Sequence, residues 1–422
     1  MNFGFLGIQY SFGLQQSAIN PIYALLGAQP ENLPYLNLAG PITGLLIQPL
    51  IGAWSDKTWH PKWGRRKPFF LLGAIGCSLC LFAFPFCSTL WLAAGLLWML
   101  DAANNTSMEP YRAFIADHLH EEQHAQGFLA QSFFTGLGIT LANLSIYFFQ
   151  KLFHQPLTPG SLPIWVYISF FIGAFISFSS VYFSTRKLKE YPPTQEELTA
   201  IQNNPTSLLK SIADVVKAIG EMPKILWQLA LVYLFQWYAL FCYWEFISLA
   251  VAKQFWHTTD TTSLQFQEGV GWAAFMNATY NAIAFIISLL LIPLTKKVRA
   301  RNVHAYCLLL AGLGLSLFSY WNNSNLALFS MVGLGIAWAS IMGVPYIFVV
   351  PHIPKEKYGV YMGIINMMIV IPMFIQTLTF SKIYTQLLQS KPEHAITFAG
   401  VLLVLASVAT FFIRDRVEPK LV

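Results

Sequence analysis

Charge is what this sequence has least of. Asp, Glu, Lys and Arg make up 10% of its 422 residues, against about 25% in an ordinary soluble chain. A chain of this length can bury a large core, but it still has to cover its surface. So little charge excludes water as the solvent for much of that surface. Cysteine is scarce too: Cys77, Cys80, Cys87, Cys242 and Cys307 all lie in or beside apolar runs. Cys77 and Cys80 form a CxxC, but no second pair and no nearby histidine complete a metal or redox set. All five therefore read as buried, inert thiols. Nothing basic precedes the first apolar run and no small-residue cleavage site stands out, so no cleavable signal is expected. Also missing are paired aspartate motifs for a metal-diphosphate and a nucleophile with its base at a span end. Their absence argues against a membrane enzyme such as a lipid or isoprenoid transferase, and no cofactor or metal is expected.

What is present is apolar: 55% of residues are hydrophobic and 16% aromatic. Runs of about 20 residues, enough to cross a bilayer, fall at 3–28, 35–55, 68–88, 90–115, 127–150, 162–185, 225–252, 269–294, 303–321, 325–350, 359–385 and 394–413. The expected fold class is an all-α polytopic membrane protein with twelve transmembrane helices. Its expected domains are an N-terminal six-helix bundle (1–185), a cytoplasmic linker with short helices (186–224) and a C-terminal six-helix bundle (225–422). The linker reads as a turn, a short helix opened near Thr194, and an amphipathic helix. In the latter, Leu208, Leu209, Ile212, Val215, Val216 and Ile219 recur near helical spacing. Pro41, Pro49, Pro110, Pro345 and Pro372 interrupt spans, which is tolerated where neighbouring helices surround the freed backbone groups.

The net charge of +6 is spread as a topology signal rather than as a nucleic-acid footprint. Basic residues cluster in alternate loops, at Lys57–Lys67, Arg186–Lys224, Lys296–Arg301, Lys355–Lys357 and Arg414–Lys420. The opposite side has Lys151, Lys253 and Lys391, with Lys382 close to it. Both termini and the linker are therefore expected in the cytoplasm. The halves also echo each other: "PYRAFIADHLHEEQHAQGF" from Pro110 matches "PYIFVVPHIPKEKYGVYMG" from Pro345 at a constant offset. Paired halves around a midplane site are the architecture of a rocking-type secondary transporter.

Between spans two and three lies "GAWSDKTWHPKWGRRKPFF". Gly52 is expected to permit close helix packing, Asp56 to face a cation or a helix N-terminus, and Arg65, Arg66 and Lys67 to anchor the cytoplasmic side. This resembles the loop signature of the major facilitator superfamily, which implies a charge latch at Asp56, Arg65 and Arg66. The second-half counterpart, "PLTKKVRARN", has charge without the acid. More closely, "LAGPITGLLIQPLIGAWSDK", "GRRKPFF", "LDAANN" and "RAFIAD" resemble the sucrose/proton symporters of plants and their animal proton-associated sugar transporter relatives. "GFLGIQYSFGLQ", "SMEPYRAF", "GFLAQSFF", "FQWYALFCYW" and "YGVYMGIINMMIVIP" are similar to that family's bacterial branch. The resemblance implies a major facilitator fold in two pseudo-symmetric halves and proton-coupled symport of a sugar by alternating access. The same fold would also serve a facilitator or a sodium-coupled carrier of another polar solute.

In "MLDAANNTSMEPYRAF", Asp101, Asn105, Glu109 and Arg112 fall on one helical face, with Asn104 and Met108 beside it. Asp101 lies near the middle of its span, where an acid is costly and wants a reason. The resemblance gives Asp101 the roles of proton carrier and sugar-hydroxyl acceptor. The plainer reading is an acid held by Asn104 or a span-one amide for helix packing. Glu109 and Arg112, nearer the cytoplasm, are an i, i+3 pair. They are equally candidates for a latch, with Asp117 meeting Arg65 or Arg66. The plant proteins have glycine where Glu109 stands, so Glu109 inherits no role.

A sugar site needs neutral hydrogen-bonding groups and an aromatic platform. Candidates are Gln9, Gln16 and Asn20 in span one, Gln131 in span five, Asn277, Tyr280 and Asn281 in span eight, and Asn366 and Gln376 in span eleven. Trp237, Tyr238, Tyr243 and Trp244 of span seven could supply the platform. Each of these residues could equally serve helix packing or interfacial anchoring. Glu245 has no family precedent and reads either as a second protonatable site or as an acid near the outer interface. His118, His120 and His124 of "HLHEEQH" read as a solvated turn. The expected partners are a sugar, a proton and the lipid bilayer, with no nucleic acid. The expected protein is a monomer in a bacterial inner membrane.

Overall fold

Lipid leaves a backbone few ways to satisfy its N–H and C=O groups, and this chain takes the helical one. The computed structural model describes residues 2–61, 63–118, 121–153, 161–187, 190, 216–353 and 358–414. Among them the one β feature is an isolated bridge, His60 to Gly64. Twelve long helices carry the described chain: α1 (Phe3–Leu25), α2 (Ala39–Lys57), α3 (Lys67–Ala83), α4 (Leu90–His118), α5 (Glu121–Leu152) and α6 (Ile164–Lys187) come first. Then follow α7 (Lys224–Trp256), α8 (Leu264–Lys297), α9 (Ala300–Ser316), α10 (Ser324–Val349), α11 (Tyr358–Lys382) and α12 (Pro392–Phe411).

Nine of these helices are long and apolar enough to cross a membrane among the described residues. The three that fall short are α1, α2 and α4, whose polar side chains Gln15, Thr43 and Asp101 hydrogen-bond to one another. Large apolar side chains such as Trp91, Leu79, Phe175, Leu290 and Phe329 stand exposed along the helices. In water they would be a liability, whereas against lipid tails they cost nothing.

Helix ends depart from the hydropathy pattern where local chemistry takes over. The first of these is α8, which begins at Leu264, ahead of its apolar run, because Ser263 caps it by accepting from Phe266 N–H at 3.2 Å. Just before, Asp260 Oδ1 accepts from the Thr262 N–H at 3.0 Å and hydroxyl at 2.7 Å, closing the turn. At its C-terminus α7 ends on His257 in the left-handed region, φ 53°. Beyond Lys382, α11 runs into a π turn, Ile383–Leu387. Most of the expected linker helices, Leu208 to Val215 included, and His120 lie outside the described residues.

By contacts the chain divides into two units, one holding α1–α6 and the other α7–α12 with Ala28–Asn37. In the first, α1 packs on α5 and α6, α3 on α4 and α6, and α2 on α4. In the second, α7 packs on α11 and α12, α9 on α10 and α12, and α8 on α10, which repeats those pairings six helices on, while α7 packs on α8 as well. Pro110 and Pro345, the matched prolines of the sequence echo, sit inside the paired helices α4 and α10. Small residues set these crossings, as membrane packing favours. A Cβ on Gly7 of α1 would come within 2.6 Å of Ser177 Cα in α6, and one on Gly138 of α5 within 2.6 Å of Leu6 O. In the second unit a Cβ on Gly312 of α9 would meet Val404 N of α12 at 2.7 Å.

Candidate functional site

Asp101 stands eleven residues from Leu90, about 17 Å along the α4 axis and so near the middle of a hydrocarbon layer about 30 Å thick. It is 2% exposed. An aspartate at a span centre costs about 2.5–3.5 kcal/mol, so its partners matter. Oδ1 accepts from Gln15 Nε2 of α1 at 2.7 Å, and Oδ2 meets the Thr43 hydroxyl of α2 at 2.6 Å. No cation contacts it among the described residues. Asn105, one turn on, donates to Thr43 Oγ1 at 3.2 Å and to the Asp101 carbonyl at 3.0 Å, and accepts from Gln48 Nε2 at 2.8 Å. Asn104 donates to Gln15 Oε1 at 3.4 Å and accepts from the Cys77 thiol at 2.9 Å. Four helices of the first unit thus meet in one neutral hydrogen-bond network around one acid.

The Thr43 hydroxyl lies 2.9 Å from Ala39 O as well as 2.6 Å from Asp101 Oδ2. A hydroxyl has one proton to give. With Asp101 ionised, Thr43 donates to the carboxylate. With Asp101 neutral, the acid donates to Thr43 Oγ1, which turns its own proton onto Ala39 O. One rotation accommodates either state without moving a heavy atom.

Of the other candidates in this unit, Gln9, Asn20 and Gln131 are buried and Gln16 half-buried. Gln131 Nε2 has no partner among the described residues. The span-one amide that reaches Asp101 is Gln15, not Gln16. Gln15, Thr43 and Gln48 gave no sequence signal, because their role depends on a neighbouring helix and not on spacing along their own.

At the latch, the side chains of Asp56, Glu109, Arg112 and Asp117 lie outside the described residues. Arg66 is buried and donates from Nη1 to Ser55 Oγ at 2.6 Å. The backbone N–H groups of Arg65, Arg66 and Lys67 all donate to the Glu190 carboxylate, at 2.7, 3.0 and 2.9 Å. An acid on the N-terminus of α3 is favoured by its free N–H groups and the helix dipole. Glu190 was hidden in a stretch that reads as solvated linker. Gly64, at φ 73°, leaves room for it, since a Cβ there would meet Glu190 Oε1 at 2.6 Å. A Cβ on Gly52 would meet nothing within 4 Å among the described atoms. The tight glycine of this signature is therefore Gly64.

In the second unit, Trp237 and Trp244 of α7 share a face and pack with Trp338 of α10. Ring centroids lie 6.5, 6.1 and 5.6 Å apart. Trp244 Nε1 donates to Tyr280 OH at 3.2 Å, and Tyr243 OH donates to Asn277 Oδ1 at 2.8 Å. Asn281 donates to the Asn277 carbonyl at 2.9 Å. These residues form one aromatic–amide cluster, in which Trp237 Nε1 has no partner among the described residues. Tyr238 is separate: its hydroxyl pairs with Thr379 of α11 at 2.8 Å. Asn366 of α11 is half-buried.

The chain is similar to the Arabidopsis thaliana sucrose transport protein SUC3, 37% identical over 133 residues, covering 26% of this chain and 22% of that protein. It is also similar to the sucrose transport protein SUT1 of Oryza sativa subsp. japonica, 34% identical over 133 residues, covering 26% of this chain and 24% of that protein. The match thus spans about a quarter of each relative's length or less. Among solved structures it resembles the nucleoside transporter NupG, with TM-score 0.69 and 16% identity over 97% of this chain and 98% of that one. The inward-open xylose transporter XylE from E. coli aligns with TM-score 0.67 and 13% identity over 99% and 96%. The model of the Major Facilitator Superfamily matches residues 1–377, and the twelve helices in two repeated units are the fold that goes with it. The chain is an integral membrane transporter, not an enzyme, and it belongs to the major facilitator superfamily.

Proposed function

We propose that this transporter is a proton-coupled sugar symporter working by alternating access. Asp101 takes up a proton on the outer side, the neutral acid and its amide neighbours bind sugar hydroxyls, and both are released inside. The observation that carries this reading is the Thr43 hydroxyl, which serves Asp101 as donor or acceptor. A carboxylate fixed only for packing would need one arrangement, whereas a carrier must be held in two. The sugar is supported by similarity to sucrose transport proteins over part of the chain. It is supported also by the neutral network around Asp101 and by the tryptophan cluster, which suits the apolar face of a sugar ring. The same reading takes 186–224 as a cytoplasmic linker and places both termini in the cytoplasm of a bacterial inner membrane. It gives Asp56, Arg65, Arg66, Glu109, Arg112 and Asp117 the conformational latch, in a monomer.

Purified protein in proteoliposomes tests it. Sucrose comes first, followed by other disaccharides, glucosides and monosaccharides ranked by thermal shift. An inward proton gradient should drive accumulation of the bound sugar and alkalinise the medium. Asp101→Asn should abolish accumulation while sparing counterflow. Uphill uptake unimpaired in that variant would overturn the assignment, and accumulation that needs sodium and moves no protons would replace it with a sodium-coupled carrier.

A further inference from the structure

Glu245 has no part in the mechanism above, yet it is the second unit's counterpart in position to Asp101. It lies eleven residues from the Trp256 end of α7, as Asp101 lies eleven from the Leu90 end of α4, and the charge pattern assigns both ends to the outer side. The coincidence is not inherited from the repeat: the offset linking Pro110 to Pro345 carries Asp101 to Ile336, which cannot ionise.

Its surroundings are as dry and as neutral. Glu245 is 1% exposed, and among the described residues its one hydrogen bond comes from Gln376 Nε2 of α11 to Oε2 at 2.7 Å. Oε1 has no partner there, and neither does Gln376 Oε1. On its own helix the nearest titratable groups are the thiol of Cys242, which Gln376 Nε2 also approaches at 3.7 Å, and Tyr238. From α8, Tyr280 is engaged by Trp244 and Glu268 by Trp256 Nε1 at 2.7 Å. No charged residue occurs in α10. Glu393 and His394 sit in the first turn of α12, and Lys382 in the last turn of α11. No cation pairs with Glu245 among the described residues.

A permanently ionised acid in this position would be an uncompensated buried charge, the costliest arrangement available to a helix pair. Hard divalent cations take about six to eight oxygens, whereas two unpartnered oxygens are at hand. A proton needs one. The side-chain amide of Gln376 is suited to either state of the acid, because its oxygen and nitrogen exchange places by a half-turn. With Glu245 ionised, Nε2 donates to it. With Glu245 neutral, the turned amide accepts its proton at the same 2.7 Å separation. Gln376 thus does for Glu245 what Thr43 does for Asp101.

We infer that Glu245, with Gln376 as its two-way partner, is a second proton-binding site, so that each unit of the carrier holds one exchangeable proton. The inference goes beyond the coupling proposed at Asp101 and is measured separately from it. Infrared difference spectra of the full-length protein in lipid nanodiscs, recorded as pH is changed, report each carboxyl C=O band that appears or disappears. Above about pH 6, where exposed carboxylates are already ionised, wild type should show two titrating bands. Glu245→Gln should remove one and leave the other, and Asp101→Asn should do the reverse. Gln376→Leu should move the frequency of the Glu245 band by removing its hydrogen bond, an arm that stands even if Glu245→Gln fails to fold. Spectra of Glu245→Gln superimposable on wild type, a Glu245 band that ignores pH, or a Gln376→Leu spectrum identical to wild type would each overturn the inference. Loss of a band in Glu245→Gln with no change in Asp101→Asn would uphold it and sink the reading of Asp101 instead.

Discussion

At the scale of single residues, the chemistry rests on one proton's choice of acceptor. Thr43 sits between Asp101 Oδ2 and Ala39 O, and its hydroxyl can serve only one at a time. Thr43→Val keeps the shape and removes the switch. The acid then keeps Gln15 but loses a partner in a buried site, a loss of about 1–3 kcal/mol, or roughly 5- to 150-fold in an equilibrium constant. Proton-driven sugar accumulation should fall by a factor in that range, while Thr43→Ser, which retains the hydroxyl, should stay within about twofold of wild type. Equal activity of the valine and serine variants would remove Thr43 from the proton's path. The midspan acid itself was legible, since an aspartate among asparagines in an apolar run is too costly to stand there without a purpose. Its partners were not. Thr43 looks like any small residue of a membrane helix, and Gln15 lies off the face shared by Gln9, Gln16 and Asn20.

At the scale of helices, hydropathy located all twelve spans but was weakest on α1, α2 and α4, where polar residues are buried against one another. Polar side chains lower a helix's mean hydropathy, so the helices that supply Gln15, Thr43, Gln48 and Asp101 with its asparagines give the faintest signal. What holds α1 in place is close approach. A Cβ on Gly7 would press on the α6 backbone, at 2.6 Å from Ser177 Cα and 2.7 Å from Ile176 O. Backbone cannot rotate out of the way, so Gly7→Ala should cost about 1–3 kcal/mol as overpacking. Gly95 in α4 is the control: a Cβ there meets nothing within 4 Å. Gly95→Ala should be neutral or stabilising by up to about 1 kcal/mol, the helix-propensity gain. Thermal unfolding in detergent should therefore show a lowered midpoint for Gly7→Ala and an unchanged or raised one for Gly95→Ala. A Gly7→Ala midpoint at or above wild type would show that α1 does not rely on this crossing.

At the scale of the whole molecule, the repeat of pairings across the two units makes an even number of spans, and an even number puts both termini on one side. The reading proposed above takes the side with the basic loops as the cytoplasmic one. Lys297 and Arg414 belong to the basic face, while Thr259 and Asn322 belong to loops with almost no Lys or Arg; all four are exposed. The native cysteines offer no competing signal, because all five are buried. Single substitutions Thr259→Cys, Asn322→Cys, Lys297→Cys and Arg414→Cys can therefore be read against an unaltered background with a membrane-impermeant maleimide. In intact cells Thr259→Cys and Asn322→Cys should label, and Lys297→Cys and Arg414→Cys should label only after the cells are opened. A reversed pattern would put Asp101 and Glu245 the same distance from the opposite face and overturn the assignment of both termini to the cytoplasm. A mixed pattern, with Lys297→Cys and Arg414→Cys on different sides, would mean that an odd number of the helices from α9 to α12 do not cross. The orientation matters for the mechanism because a proton gradient has a direction. With the basic face inside, Asp101 and Glu245 each lie eleven residues from the outer end of their helix, the end from which an inward gradient delivers protons.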